Sequence, residues 1–284
     1  MVDGVPMSAL VAVAEDPRGV IVAIHGGATS STYFDCPGHP RLSLLRLAAT
    51  QGFTAIALDR PGYGASALYA DELNDADRRV ALAYGAVDKI LADGPRGAGH
   101  VLVGHSAGCE LALRMAVSSR NADLLGLELA GTGLRYRAAA KAVIKEATMT
   151  SRPAGLRDLL WQPTDLYPPE VLTSALSAPG VAYESEVTAN WARRDFPELA
   201  ARVTAPVEFS VADHESVWES TPEALSAITA LFASAPRVAV NEIADSGHNL
   251  SVGLTADTYH RKVLSFIEEC IVARQGMTSE AEAG

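Results

Sequence analysis

The 284-residue sequence predicts an α/β protein: a doubly wound, mostly parallel sheet with one helical insertion. Three observations predict it. Short apolar runs alternate with helically periodic stretches over residues 1–133 and again over 204–275. The strongest runs are continuous rather than alternating, as strands buried on both faces of a parallel sheet are. Between 134 and 203 no strand pattern is evident, and about 70 residues is long for a crossover.

Taken in order, residues 8–14 are a short apolar run suited to a sheet edge. Residues 19–25 are unbroken and β-branched, and they run into the glycine-rich turn Gly26-Gly27-Ala28. Leu42, Leu44, Leu45, Leu47 and Ala48 suit a helix. The next strand, 53–58, opens into Asp59-Arg60-Pro61-Gly62-Tyr63-Gly64, dense in turn residues. Within 71–92, Val80, Leu82, Ala83, Ala86, Val87, Ile90 and Leu91 repeat at helical spacing. Strand 101–103 leads through Gly104-His105-Ser106-Ala107-Gly108 into a helix reaching about 118, and 123–129 is a further strand. Inside the insertion, 137–148, 156–161, 169–176 and 183–193 carry helical patterning. Trp161, Tyr167, Tyr183 and Trp191 gather there, a large share of the chain's aromatics. The alternation resumes with a strand at 206–211, a helix at 222–233 capped by Thr221, a strand at 238–243 and a helix at 255–273. The expected organisation is a core in two parts, 1–133 and 204–275, an insertion at 134–203, and a small, acidic, flexible tail at 276–284.

A net charge of −11 weighs against nucleic acid and anionic membrane surfaces as partners. No apolar run reaches the roughly 18 residues that cross a bilayer. The N-terminus shows no basic segment followed by an apolar one. Cys36, Cys109 and Cys270 suggest neither a disulfide framework nor a thiolate metal site. The expectation is a cytoplasmic protein, monomeric or homodimeric, with no metal and no organic cofactor.

The chemistry centres on residues 104–108. Side chains at 104 and 108 would clash as strand passes into helix, so glycines flank the turn. Such a turn holds the Ser106 hydroxyl clear of the backbone, at the positive end of a helix. An alcohol attacks poorly unless a base takes its proton. The base needs a carboxylate to fix its tautomer, and the developing oxyanion needs N–H donors. Of the seven histidines, His248 suits the base, because it follows a late strand behind Gly247. His105 lies inside the turn and should point elsewhere, and His25 suits a bond to its own loop. Asp213 and Glu215 both follow the strand at 206–211, at the carboxyl edge where α/β sheets place their chemistry. The residues by themselves leave the two acids open.

The chain resembles the α/β-hydrolase superfamily over nearly its whole length. The resemblance rests on His25-Gly26-Gly27, Asp59-Arg60-Pro61-Gly62-Tyr63-Gly64, Gly104-His105-Ser106-Ala107-Gly108 and Ser246-Gly247-His248, in the family's order. It implies Ser106 as nucleophile, Glu215 or Asp213 as acid and His248 as base. It favours Glu215, because Pro206, Ala212, Glu215 and Val217 take the family's proline, glycine, acid and apolar positions. Alanine for glycine, and glutamate for the commoner aspartate, are departures from the pattern. The resemblance further implies the N–H groups of Ala107 and Gly27 as oxyanion donors, with Ala28 as the alternative to Gly27. It implies that the insertion is a lid.

The expected function is a serine hydrolase acting on an ester or thioester, free or carrier-bound, through an acyl-enzyme on Ser106. With an internal hydroxyl or amine as acceptor, the same site would transfer or cyclise. Halide and epoxide chemistry in this superfamily uses aspartate at the turn, so Ser106 disfavours it. A C–C bond hydrolase, a lyase or a peptidase are alternatives. The peptidase requires lid acids, such as Glu170, Glu184 or Glu186, to capture an amino terminus. A non-enzymatic small-molecule receptor is the other class.

Overall fold

The computed structural model describes residues 1–146, 155–173 and 176–283. Among these residues the sheet has seven strands: β1 (Ala9–Ala12), β2 (Val20–Ile24), β3 (Thr54–Leu58), β4 (His100–His105), β5 (Leu124–Ala130), β6 (Val207–Ala212) and β7 (Val238–Ile243). Their spatial order is β1-β3-β2-β4-β5-β6-β7. The edge strand β1 pairs antiparallel with β3, and the other neighbours run parallel. This is the doubly wound, mostly parallel sheet that the sequence predicts.

Burial explains the architecture. Every residue of β2, β3, β5 and β6 is buried, which requires a layer of helices on each face. On one face lie α1 (Leu44–Thr50) and α9 (Ala256–Ala283), packed through Leu44, Leu45, Val263 and Phe266. On the other lie α2 (Ala76–Leu91), α3 (Gly108–Ala116), α7 (Phe196–Ala200) and α8 (Pro222–Leu231), packed through Val80, Leu113, Phe196 and Ile228. Because the strands are parallel, the loops that follow β2, β3, β4, β6 and β7 gather at one edge of the sheet.

The helices differ from the sequence reading at their ends. α2 begins at Ala76 rather than at the start of the 71–92 stretch, because the Asp75 side chain accepts the N–H groups of Asp77 and Arg78. The preceding Gly64–Glu72 winds as a 3₁₀ helix instead. α9 continues to Ala283, through most of the stretch read as a tail, which is rich in the helix formers Ala and Glu. Thr221 caps α8 as expected, its hydroxyl accepting from the Ala224 N–H at 3.2 Å.

Between β5 and β6 the described residues hold α4 (Ala138–Glu146), α5 (Leu156–Trp161), α6 (Glu184–Asn190), a π-helical turn (Trp191–Asp195) and α7, with no strand. Parts of two expected helical stretches, 147–148 and 174–175, lie outside the described residues. Three of the four aromatics singled out there are buried and bonded to the core. Tyr183 donates to the Pro61 carbonyl at 2.7 Å, Trp191 Nε1–H donates to Thr132 Oγ1 at 2.8 Å, and the Tyr167 hydroxyl accepts the Asn249 N–H at 3.2 Å.

Candidate active site

Between β4 and α3 the chain turns through Ser106, whose φ is +51°. A residue other than glycine in the left-handed region costs roughly 1–3 kcal/mol and persists only where its surroundings fix it. Here they do. A Cβ on Gly104 would lie 2.9 Å from the Ala112 Cβ, and one on Gly108 would lie 2.3 Å from the Ile24 carbonyl oxygen. The Ser106 N–H donates to the Ala130 carbonyl at 2.8 Å. Strand and helix thus pack too closely for side chains at 104 and 108, while Ser106 itself stays half-buried at the sheet edge.

Two loops converge on that serine. His248 follows β7, and its Nε2 lies 3.1 Å from Ser106 Oγ. Its Nδ1 lies 2.9 and 3.1 Å from the two carboxylate oxygens of Glu215, in the loop after β6. Both side chains are buried. Burial pushes the Glu215 carboxyl up, but the adjacent His248 ring and the N–H groups of Val217 and Trp218 outweigh it. The net effect holds the group below the usual carboxylate range. The Val217 N–H donates to Glu215 Oε1 at 2.7 Å.

Asp213 points to a different task. Its carboxylate accepts the N–H groups of Asp245 and Ser246 at 2.8 and 2.9 Å. It therefore clamps the loop after β6 to the loop that carries His248. Of the two acids left open by the sequence, the structure brings Glu215 to the imidazole.

The remaining histidines of this edge are supports. His105 lies below the site, stacked on Tyr33 with ring centroids 4.3 Å apart, and its Nε2 is 2.9 Å from the His248 carbonyl oxygen. Burial pushes its pKa down to about 3, so it is neutral and donates that bond. His25 bonds its own surroundings, as read: Nδ1 is 2.8 Å from the Gly26 carbonyl oxygen, and Nε2 accepts the Arg60 N–H. Cys109 is buried against the carbonyls of Gly104 and Ala130, and burial holds its thiol well above the usual range. It packs α3 and offers no second nucleophile.

Facing Ser106 is the loop after β2. A Cβ on Gly27 would lie 3.7 Å from the Ala107 Cβ, so the two expected oxyanion donors are neighbours. Among the described residues neither N–H is paired with an acceptor. The alternative donor differs: the Ala28 N–H is taken by the Tyr63 hydroxyl at 3.0 Å.

Three further residues adjoin the site, and the sequence reading assigned them no role there beyond naming Glu184 as a lid acid that a peptidase would require. Arg60 and Tyr63 sit in the loop after β3, and Glu184 sits at the start of α6. Arg60 donates to the Gly26 carbonyl at 2.9 Å and pairs with the Glu184 carboxylate. Tyr63 donates to the same carboxylate at 2.7 Å. The available signal was a charged residue, Arg60, directly after a strand at the functional edge. Among the described residues no cluster of His, Cys, Asp and Glu is arranged to hold a metal ion, and no helix is long and apolar enough to cross a membrane.

The sequence pattern of the alpha/beta hydrolase family matches residues 21–260, and the chain belongs to that family. No curated protein matches the sequence. Several solved structures are similar. One is a monoacylglycerol lipase of Paleococcus ferrophilus, at 18% identity and a TM-score of 0.64, covering 94% of this chain and 99% of that one. Another is the esterase EaEST of Exiguobacterium antarcticum, at 18% identity and a TM-score of 0.66, covering 94% and 97%. A third is MenH of S. aureus, at 18% identity and a TM-score of 0.63, covering 92% and 98%. At these identities the likeness is one of fold.

Proposed function

We propose that this chain is a serine hydrolase that cleaves an ester or thioester through an acyl-enzyme on Ser106. The observation that carries the reading is the unbroken line of hydrogen bonds from Ser106 Oγ through His248 to Glu215. Glu215, kept ionised, accepts the Nδ1–H of His248 and leaves the Nε2 lone pair facing the serine. As Ser106 attacks the acyl carbon, Nε2 takes its proton. The N–H groups of Gly27 and Ala107 then receive the negative charge that develops on the carbonyl oxygen. Collapse of the tetrahedral intermediate expels the alcohol or thiol, which collects the proton from His248. Water repeats the sequence on the acyl-enzyme, releasing the acid and restoring the serine. An internal hydroxyl or amine in place of water would give cyclisation or transfer.

In this reading residues 1–133 and 204–275 form the catalytic core and 134–203 the lid that selects the acyl group. A peptidase is less well supported. Glu184, the lid acid nearest the site, is already neutralised by Arg60, while Glu170 and Glu186 are exposed. An ammonium group arriving at Glu184 would have to compete with a buried guanidinium.

The test is a fluorophosphonate probe together with para-nitrophenyl esters of increasing chain length. Wild-type protein is expected to label and turn over, and Ser106→Ala to do neither while keeping its thermal transition. Labelling that persists in Ser106→Ala would sink the nucleophile assignment. A folded wild type that neither labels nor turns over would favour the receptor reading.

A further inference from the structure

The Arg60–Glu184 charge pair beside the site has no part in the mechanism above. Arg60 is only 1% exposed, and its guanidinium lies 4.7 Å from the centre of the Tyr63 ring. Its ion-pair partner among the described residues is Glu184, which belongs to the insertion rather than to the core. The Glu184 carboxylate rests against the oxyanion loop: both of its oxygens lie 3.6 Å from the position of a Cβ on Gly27. A Cβ on Gly180 would lie 3.6 Å from Oε2, so glycines border the carboxylate on two sides. Gly27 is exposed and the Glu184 side chain is 18% exposed, which leaves this pocket reachable from solvent. The Arg60 Nε is buried with no partner among the described residues, so the guanidinium retains unused donor capacity.

We propose that Arg60 and Tyr63 form a carboxylate-binding subsite beside Gly27, filled by Glu184 in this structure and by an acidic group of the acyl chain when substrate is bound. The inference rests on the serine hydrolase reading and narrows it: the substrate is a monoester or monothioester of a short dicarboxylic acid. The chain is short because the subsite touches the loop that would hold the oxyanion. The selectivity follows from charge. A buried guanidinium without an anion is strongly unfavourable. When Glu184 withdraws, an incoming carboxylate replaces it one for one, accepting from Arg60 and from the Tyr63 hydroxyl. A neutral acyl chain makes no such replacement, so the subsite discriminates against it.

The test compares monomethyl succinate with methyl 4-methylpentanoate, in which an isopropyl group stands where the carboxylate is. Glu184→Gln removes the internal competitor while keeping its shape, and is expected to raise the ratio of kcat/KM for the acidic over the neutral ester about tenfold, through KM. Arg60→Gln is expected to erase the preference. Because Arg60 is buried and that variant can fail to fold, Tyr63→Phe in the Glu184→Gln background serves as the milder probe, lowering the ratio about threefold. Binding is also read without turnover: Ser106→Ala/Glu184→Gln is expected to bind monomethyl succinate more tightly than Ser106→Ala does, by calorimetry. An equal rise for both esters in Glu184→Gln, or no gain in binding in the double variant, overturns the subsite. If wild type fails to label with fluorophosphonate, the hydrolase reading falls and the binding comparison still decides this one.

Discussion

The Ser106 edge of the sheet and the insertion beside it are held in place by different means. At the edge, each group sits on a strand end or a turn that the core packs from both sides, and Ser106 keeps a φ of +51° that only dense surroundings maintain. In the insertion, α5 and α6 bury none of their residues. Those two helices are held by the anchors beside them, since Tyr167, Tyr183 and Trp191 are buried and bonded to the core and Glu184 pairs with Arg60, while α7 at the end of the insertion packs into the core itself. In the proposed function, reactivity then rests on geometry that the core packs from both sides. Selectivity, in the same reading, lies with α5 and α6, which bury none of their residues and so have less to lose in yielding to a substrate.

The sharpest way to break that division is at the two acids of the β6 loop. Glu215→Gln is expected to lower kcat by about 10³–10⁴, because the imidazole loses the charge that fixes its tautomer. Asp213→Asn is expected to leave kcat within about tenfold while costing about 1–2 kcal/mol of stability, since its carboxylate holds two backbone N–H groups. Steady-state kinetics and thermal denaturation of both variants measure the difference, and the reverse order would transfer the triad role to Asp213. A smaller effect is expected in the insertion. Tyr183→Phe removes the bond to Pro61 and should raise KM about three- to tenfold with kcat changed less than twofold. A matching loss in kcat would mean that reactivity also depends on how the insertion docks.

The last effect sits in the core and concerns pH. Glu128 and Glu208 face each other on β5 and β6. Burial pushes Glu208 up to about 7, against the hydrogen bond from Asn241. Burial, and then the charge of Glu208, holds Glu128 well above the usual range. A carboxyl whose folded value is raised favours folding in its neutral form. Its contribution is therefore complete below the ordinary carboxylate range, declines as pH rises towards 7 and is lost above it. Glu208→Gln, permanently neutral, is expected to gain about 2 kcal/mol of stability at pH 8 and nothing at pH 4. An equal gain at both pH values would assign the effect to packing.

Much of this could be read from residue order, and the parts that could not share a cause. The turn at 104–108 was readable because the clash that excludes side chains there arises within a few residues and the strand beside it. His248 was readable because it follows the last strand of an alternating pattern. Asp213 and Glu215 were not separable by the residues themselves, since both lie in one short loop at the correct edge. The resemblance favoured Glu215, and the loop's path then spends Asp213 on Asp245 and Ser246. Asp75 delayed the start of α2 because a side chain competed for the first N–H groups, an outcome that periodicity does not register.

By itself, then, the sequence determined the alternating sheet, the strained serine turn and the candidate base, because each depends on local periodicity or local sterics. The tertiary structure alone decided that Glu184 lies across Arg60, Tyr63 and Gly27. Arg60 and Glu184 are 124 positions apart, and a contact between them exists only once the insertion has folded back over the sheet. Nothing in the local pattern of either residue encodes where the other will be.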